Sequence, residues 1–187
     1  YWKEWFPADF VVECFPGQFR NWFYSLLAMS AMMEETIPFK TLLGHALVKD
    51  ETGRDMHKSW GNTIWFDVAA EKMGVDTMRW LYASQNTEHN LLFGYKIADE
   101  VRKNLITLWN TYSFFITYAR LDNFNPKDYP LEKVELTKLD RWIISKINKF
   151  SIVCDQMYNN YELNKLMRKA IELLDDISNW YVRRNRR

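Results

Sequence analysis

Two short stretches carry the residues best suited to chemistry. The first is Gly53-Arg54-Asp55-Met56-His57-Lys58-Ser59-Trp60-Gly61-Asn62, a polar run with glycine near both ends. Lys58 supplies a full positive charge, Ser59 a small hydroxyl, and the backbone of such a loop a set of N–H donors. That combination suits a growing negative charge such as a leaving pyrophosphate. Glycine and serine let the backbone come close to a nucleotide. His57 adds charge only when protonated, and at its ordinary pKa it is largely neutral at pH 7. The same composition also makes an ordinary solvated loop, and spacing alone does not separate the two. The second stretch is Trp180-Tyr181-Val182-Arg183-Arg184-Asn185-Arg186-Arg187. Guanidinium groups pair with phosphates, and aromatic rings stack on unpaired bases. Core packing is the plainer role for Trp180 or Tyr181. Four arginines in the last five positions exceed what a core needs and suit a basic face turned to RNA.

Composition bounds what can hold these residues. The 187 residues are 48% hydrophobic, enough for one sizeable domain or two small ones and too apolar for wholesale disorder. Aromatics reach 17%, which serves cores and ligand pockets alike. A net charge of +1 does not announce a nucleic-acid binder, so the clustering of arginines at one end is the more informative feature. Cys14 and Cys154 are too far apart in sequence to suggest a disulfide framework or a zinc site; reduced, mostly buried thiols in a cytosolic protein are expected. No apolar run has the length of a membrane span, and no signal peptide is recognisable. The chain starts at Tyr1 and stops within a basic run, so both ends are expected to lie inside a longer polypeptide.

The elements that must position these residues can be read from pattern. Asp9 to Glu13 forms a β-branched and aromatic run suited to a buried strand, broken by Pro16-Gly17. Asn21 to Glu35 spaces Trp22, Leu26, Met29 and Met33 as a helix does, and Pro38 follows. Leu42 to Val48 reads as a second strand. Strand, helix, strand predicts a parallel βαβ unit. Lys49 to Asn62 is a polar loop. Asp67 is expected to cap a short helix that ends at Gly74, and Asp76 to cap the next. From about Leu91 helical periodicity dominates, interrupted between Asp122 and Pro130. One face gathers Leu139, Trp142, Ile143, Ile147 and Phe150; another gathers Leu163, Leu166, Ala170, Leu173, Leu174, Ile177 and Tyr181. At least three helices are predicted over 96–187.

Four stretches together resemble the class I aminoacyl-tRNA synthetases of the isoleucyl type. Met56, Lys58, Ser59, Gly61 and Asn62 match the family's KMSKS signature and the Gly-Asn after it, with Asp55 in place of the first lysine and His57 in place of the first serine. Gln18, Arg20, Trp22 and Phe23 match a strand-to-helix segment written EGxDQxRGWF; Glu13 matches with one extra residue, and Gly17 stands where the family has Asp. Gly74, Asp76 and Arg79 are similar to a Gly-x-Asp-x-x-Arg connector. Leu108 to Phe115, Leu139 to Ile143, and Asp176 to Arg187 resemble, in order, the opening of the anticodon-binding domain.

The resemblance implies a mixed, mainly α fold: the remnant of a Rossmann-type α/β catalytic domain followed by an α-helical anticodon-binding bundle. Its divisions would be 1–62 for the catalytic part with the KMSKS-like loop, 63–90 for a stem-contact connector, and 91–187 for the start of the anticodon-binding domain. The parent enzyme would use ATP with Mg²⁺ to activate isoleucine and transfer it to tRNA(Ile). Lys58, Ser59 and His57 would act in catalysis. Met56, Lys58, Glu13 and Gln18 would bind ATP or the adenylate, and Trp22 would wall the amino-acid pocket. Trp180, Tyr181, Arg183, Arg184, Arg186 and Arg187 would meet tRNA. No zinc site within this chain, no membrane, a cytoplasmic location and a monomer are expected. The family's HIGH segment does not occur in this sequence, so the chain alone is expected to be inactive. Asp55 and His57 also fit an alternative, a synthetase-like paralogue or tRNA-binding module without aminoacylation activity.

Overall fold

The computed structural model describes residues 1–186, and the sequence-based expectation for Arg187 lies outside them. The chain is mainly helical and divides into two compact units, each assembled from two stretches. The first comprises Tyr1–Phe66 with Gln85–Ile97, the second Asp67–Ser84 with the chain from Ala98 onward.

In the first unit, helix α1 (Trp2–Trp5) leads into strand β1 (Ala8–Cys14). The short helix α2 (Phe15–Gln18) and then α3 (Trp22–Glu34) carry the chain to β2 (Phe39–His45). β1 and β2 pair in parallel with Ala8 opposite Phe39 and Glu13 opposite Gly44, so the predicted βαβ unit is present. β2 begins at Phe39, three residues before the run that marks it in the sequence. Its first residues alternate rather than run apolar: Lys40 points to solvent and pairs with Asp9 at 2.6 Å. The unit's apolar centre is Phe23, 2% exposed, against Phe15, Phe19 and Phe39 with ring centroids 5.4, 6.1 and 5.9 Å away.

The end of the apolar run becomes a separate strand, β3 (Val48–Asp50), parallel to β4 (Leu91–Phe93). Past Asp50 the chain makes the polar loop and a 3₁₀ turn at Lys58–Trp60. Gly94 is fixed by crowding: a Cβ there would collide with the Glu51 side chain, whose Oε1 accepts from the Lys96 N–H at 2.5 Å. That hydrogen bond meets one of the orphan amides opening α6 (Tyr95–Leu121) with a carboxylate.

The second unit contains α4 (Phe66–Met73), α5 (Val75–Ser84), the body of α6, α7 (Lys138–Asn159) and α8 (Leu163–Asp175). α8 continues through a π-helical turn, Asp176–Val182, into α9 (Arg183–Asn185). Asp67 and Asp76 lie inside the first turns of α4 and α5 rather than before them, where they complement the helix dipole instead of capping. α4 ends at Gly74 as expected, and its last carbonyls, Lys72 and Met73, accept from Arg102 Nη2 at 2.7 Å each. α8 packs on α5 and α7, burying Leu81, Ile143, Leu166 and Leu174. Cys14 and Cys154 are free and only half-buried, a correction to the expectation of mostly buried thiols. Among the described residues no helix is long and apolar enough to cross a membrane, and no group of three His, Cys, Asp or Glu could hold a metal ion.

Candidate functional site

The KMSKS-like loop hangs on one carboxylate. Asp50, at the end of β3 and 8% exposed, accepts on Oδ1 from the Thr52 hydroxyl at 2.7 Å and from the N–H groups of Thr52 at 2.9 Å and Arg54 at 3.0 Å. Its Oδ2 accepts from Asn62 Nδ2 at 2.9 Å and lies 3.4 Å from Arg54 Nε. Asn62 also donates to the Asp55 carbonyl at 2.9 Å and accepts from the His57 N–H at 3.0 Å. One side-chain pair, Asp50 and Asn62, thus ties the loop's two ends together. The Thr52 hydroxyl and then the Asn62 amide, with the Arg54 and Thr52 amides, hold the Asp50 carboxyl well below the usual carboxylate range despite its burial.

Inside that clasp the charges sort themselves. Lys49 and Asp55 form an antiparallel bridge, and their side chains pair at 3.2 Å. The acid that replaces the signature's first lysine is therefore balanced by a lysine on the strand. His57 stands edge-on to Trp60 at 4.3 Å between ring centroids. Gly61, at φ +71°, closes the 3₁₀ turn by donating to the Lys58 carbonyl at 3.2 Å, a backbone that a side chain would strain. Met56 is half-buried and Ser59 exposed. Lys58 is exposed, and its ammonium lies 4.7 Å from the centre of the Trp65 ring. Among the described residues it is the one lysine or arginine of the loop without a carboxylate partner.

The other three candidates of the first unit lie at or just after the carboxyl end of β1 along the chain, the end at which open α/β sheets place their ligands. Glu13 is 6% exposed, and its Oε1 accepts from the Cys14 N–H at 2.6 Å. Gln18 closes α2. Trp22 opens α3, 42% exposed and edge-on to Phe23.

In the second unit the structure separates two neighbours. Trp180 is 47% exposed, with the Arg184 guanidinium 4.1 Å from its ring centre and Arg183 exposed beside them, while Arg186 is exposed on the side of Tyr181. Tyr181 turns inward and donates its hydroxyl to Asp140 Oδ1 at 2.7 Å. Burial, and then the Asp140 carboxylate, push its pKa up to about 12. It also lines a cleft of about 750 Å³ with Phe114, Phe115, Tyr118, Phe124 and Tyr129. The second unit thus gives Tyr181 a structural partner and leaves Trp180 with the basic surface. Lys49, Asp50 and Trp65 were not singled out by sequence reasoning. Asp50-Glu51-Thr52-Gly53 carries the turn pattern that could have flagged Asp50; nothing local marks Lys49 or Trp65.

Comparison with known proteins gives the chain its relatives. A model for class I tRNA synthetases (I, L, M and V) matches residues 2–93, and one for the anticodon-binding domain of tRNA ligase matches 140–187. Isoleucine–tRNA ligase 2 of Bacillus cereus is 38% identical over 98% of the chain and 18% of the relative. The isoleucine–tRNA ligase of Dehalococcoides mccartyi is 40% identical over 97% and 18%. That of Pyrococcus furiosus is 38% identical over 97% and 17%. The chain thus spans under a fifth of the length of these curated relatives. A leucyl-tRNA synthetase from Agrobacterium radiobacter, solved in a ternary complex with tRNA and LeuAMS, shares the fold at a TM-score of 0.70 and 17% identity, over 90% of this chain and 22% of that one. From the catalytic-domain match across the loop and the anticodon-domain match across the arginines, the chain belongs to the class I tRNA synthetase family.

Proposed function

We propose that this chain is the part of an isoleucyl-tRNA synthetase that handles pyrophosphate and begins the grip on tRNA(Ile). The reaction of the whole enzyme has two steps. Isoleucine and ATP, carrying its Mg²⁺ on the phosphates, form the aminoacyl-adenylate and release pyrophosphate. The aminoacyl group then passes to the terminal adenosine of the tRNA. Catalysis here is positioning and charge stabilisation, with no protein nucleophile.

The carrying observation is Lys58: an exposed ammonium with no carboxylate partner among the described residues, on a loop whose acidic replacement Asp55 is already balanced by Lys49. In this reading Lys58 meets the developing charge on the leaving phosphates, with Ser59, His57 and Met56 completing the loop's nucleotide face. Glu13 and Gln18 face the adenylate, and Trp22 walls the aliphatic side chain of isoleucine. Trp180, Arg183, Arg184 and Arg186 contact tRNA, and Arg187 extends the same basic run. The cytoplasm, where translation runs, is the proposed compartment. The alternative of a paralogue without activation chemistry rests on Asp55 and His57; the Lys49 pairing offsets the charge of Asp55 and leaves His57 as its support.

The test is isoleucine-dependent ATP–pyrophosphate exchange by the whole enzyme. Lys58→Ala is expected to lower the rate about a hundredfold or more. A wild type that exchanges nothing with any amino acid would turn the reading toward an RNA-binding paralogue. The isolated chain is expected not to charge tRNA.

A further inference from the structure

We infer that Trp65 is a positioning residue for Lys58: its indole face holds the ammonium, and ATP must draw the lysine off that ring to use it. The inference rests on the reading of Lys58 as the pyrophosphate-stabilising cation, and it concerns a residue outside the signature loop.

The loop's other cations are engaged by carboxylates, Lys49 by Asp55 at 3.2 Å and Arg54 by Asp50 at 3.4 Å. Lys58 instead sits 4.7 Å from the Trp65 ring centre, within the range of a cation–π attraction. Trp65 is 55% exposed, so the ring is not placed there to fill a core. The clasp of Asn62 on Asp50 fixes the chain three residues before Trp65, which keeps the ring close to the lysine. Lys58 therefore has two competing partners, a π face and a phosphate. The π face is much the weaker, so a nucleotide can displace it. While the lysine is parked, only a fraction of the molecules is ready for ATP, and the apparent affinity falls by that fraction. For a cation–π interaction at an exposed site this amounts to about two- to fivefold.

The test uses the whole enzyme, with ATP as the varied ligand. Trp65→Leu is expected to lower the KM for ATP in pyrophosphate exchange about two- to fivefold, with kcat changed less than twofold. Trp65→Tyr, which keeps an aromatic face, should stay near wild type. In a Lys58→Ala background Trp65→Leu should leave the KM for ATP unchanged, because the partner is gone. A merely structural Trp65 would instead raise KM or lower kcat and Tm, and would do so whether or not Lys58 is present. Trp65→Gln reads the same shift if the leucine variant folds poorly. ATP binding followed by calorimetry separates the two levels of the proposal. Tighter ATP binding by Trp65→Leu in a protein that exchanges no pyrophosphate would overturn the isoleucyl reading and keep the positioning role. Unchanged or weaker ATP binding would overturn the positioning role alone.

Discussion

Asp50 is the residue through which the KMSKS-like loop is held to its strand, and it makes the loop sensitive to acid. Its ordinary pKa is 3.8, and its hydrogen bonds from Thr52 and Asn62 hold it lower in the folded protein. A carboxylate depressed in this way contributes stability that is present above pH 3.8 and lost as pH falls below it toward the folded pKa. Backbone amides of Thr52, Arg54 and His57 should therefore lose protection in hydrogen exchange on going from pH 6 to pH 3 before the core amides do. Asp50→Asn should give fast exchange at both pH values; slow exchange at pH 6 in that variant would show that the charge is unnecessary. The signature around Lys58 was legible in the sequence because it is a contiguous pattern of residue types. The pairing of Lys49 with Asp55 and the parking of Lys58 on Trp65 were not, because both depend on where a strand and a turn bring side chains that no motif links.

Among the elements, α7 and the terminal helix are joined by a residue with two tasks. Thr137 and Asp140 form a reciprocal capping box: the Thr137 N–H donates to Asp140 Oδ2 at 2.8 Å, and Thr137 Oγ1 accepts from the Asp140 N–H at 3.2 Å. The second oxygen of Asp140 receives the Tyr181 hydroxyl, so the cap that starts one helix also ties down the end of another. Tyr181→Phe is expected to cost about 1 kcal/mol or less, since the pair is partly exposed. The raised tyrosine pKa sets the alkaline limit of this bond: its contribution is full below pH 10.0 and lost as pH rises through about 12. At the acid end Asp140, held below 3.8 mainly by Thr137 and then by Tyr181, stops contributing as pH falls past that value. The difference in thermal stability between wild type and Tyr181→Phe should thus persist from pH 6 to 9 and close near pH 12. The sequence pattern sets Tyr181 on the apolar face of its helix and leaves core packing open for either Trp180 or Tyr181; the bond to Asp140 gives Tyr181 a partner inside the protein. Two neighbouring helical residues face different directions, and only the partner at Asp140 settles which one turns inward.

At the scale of the molecule, charge is arranged rather than abundant: the chain carries +1 overall, and four of its arginines fall in the last five positions. If that end meets tRNA, replacing Arg183 and Arg184 together by Ala in the whole enzyme should reduce the slope of log affinity against log salt by about two, one for each phosphate no longer neutralised. An unchanged slope would mean that these arginines serve only the helix terminus, whose dipole they complement. The mainly helical character was legible from periodicity, because burial on one face leaves the same imprint wherever a helix packs; strand β4 at Leu91–Phe93 was not, since helical periodicity is read from about Leu91 and three residues are too few to show a strand's alternation. The π-helical turn was not, since a helix with one residue more per turn keeps nearly the same apolar pattern. That turn gives the helix a residue to spare. A gene that lost one codon between Asp176 and Val182 could close the wide turn into regular α-helix and leave the residues after it facing nearly as they do now, since a π turn accommodates one surplus residue. Homologues one residue shorter here would then keep their arginines on the same side of the helix.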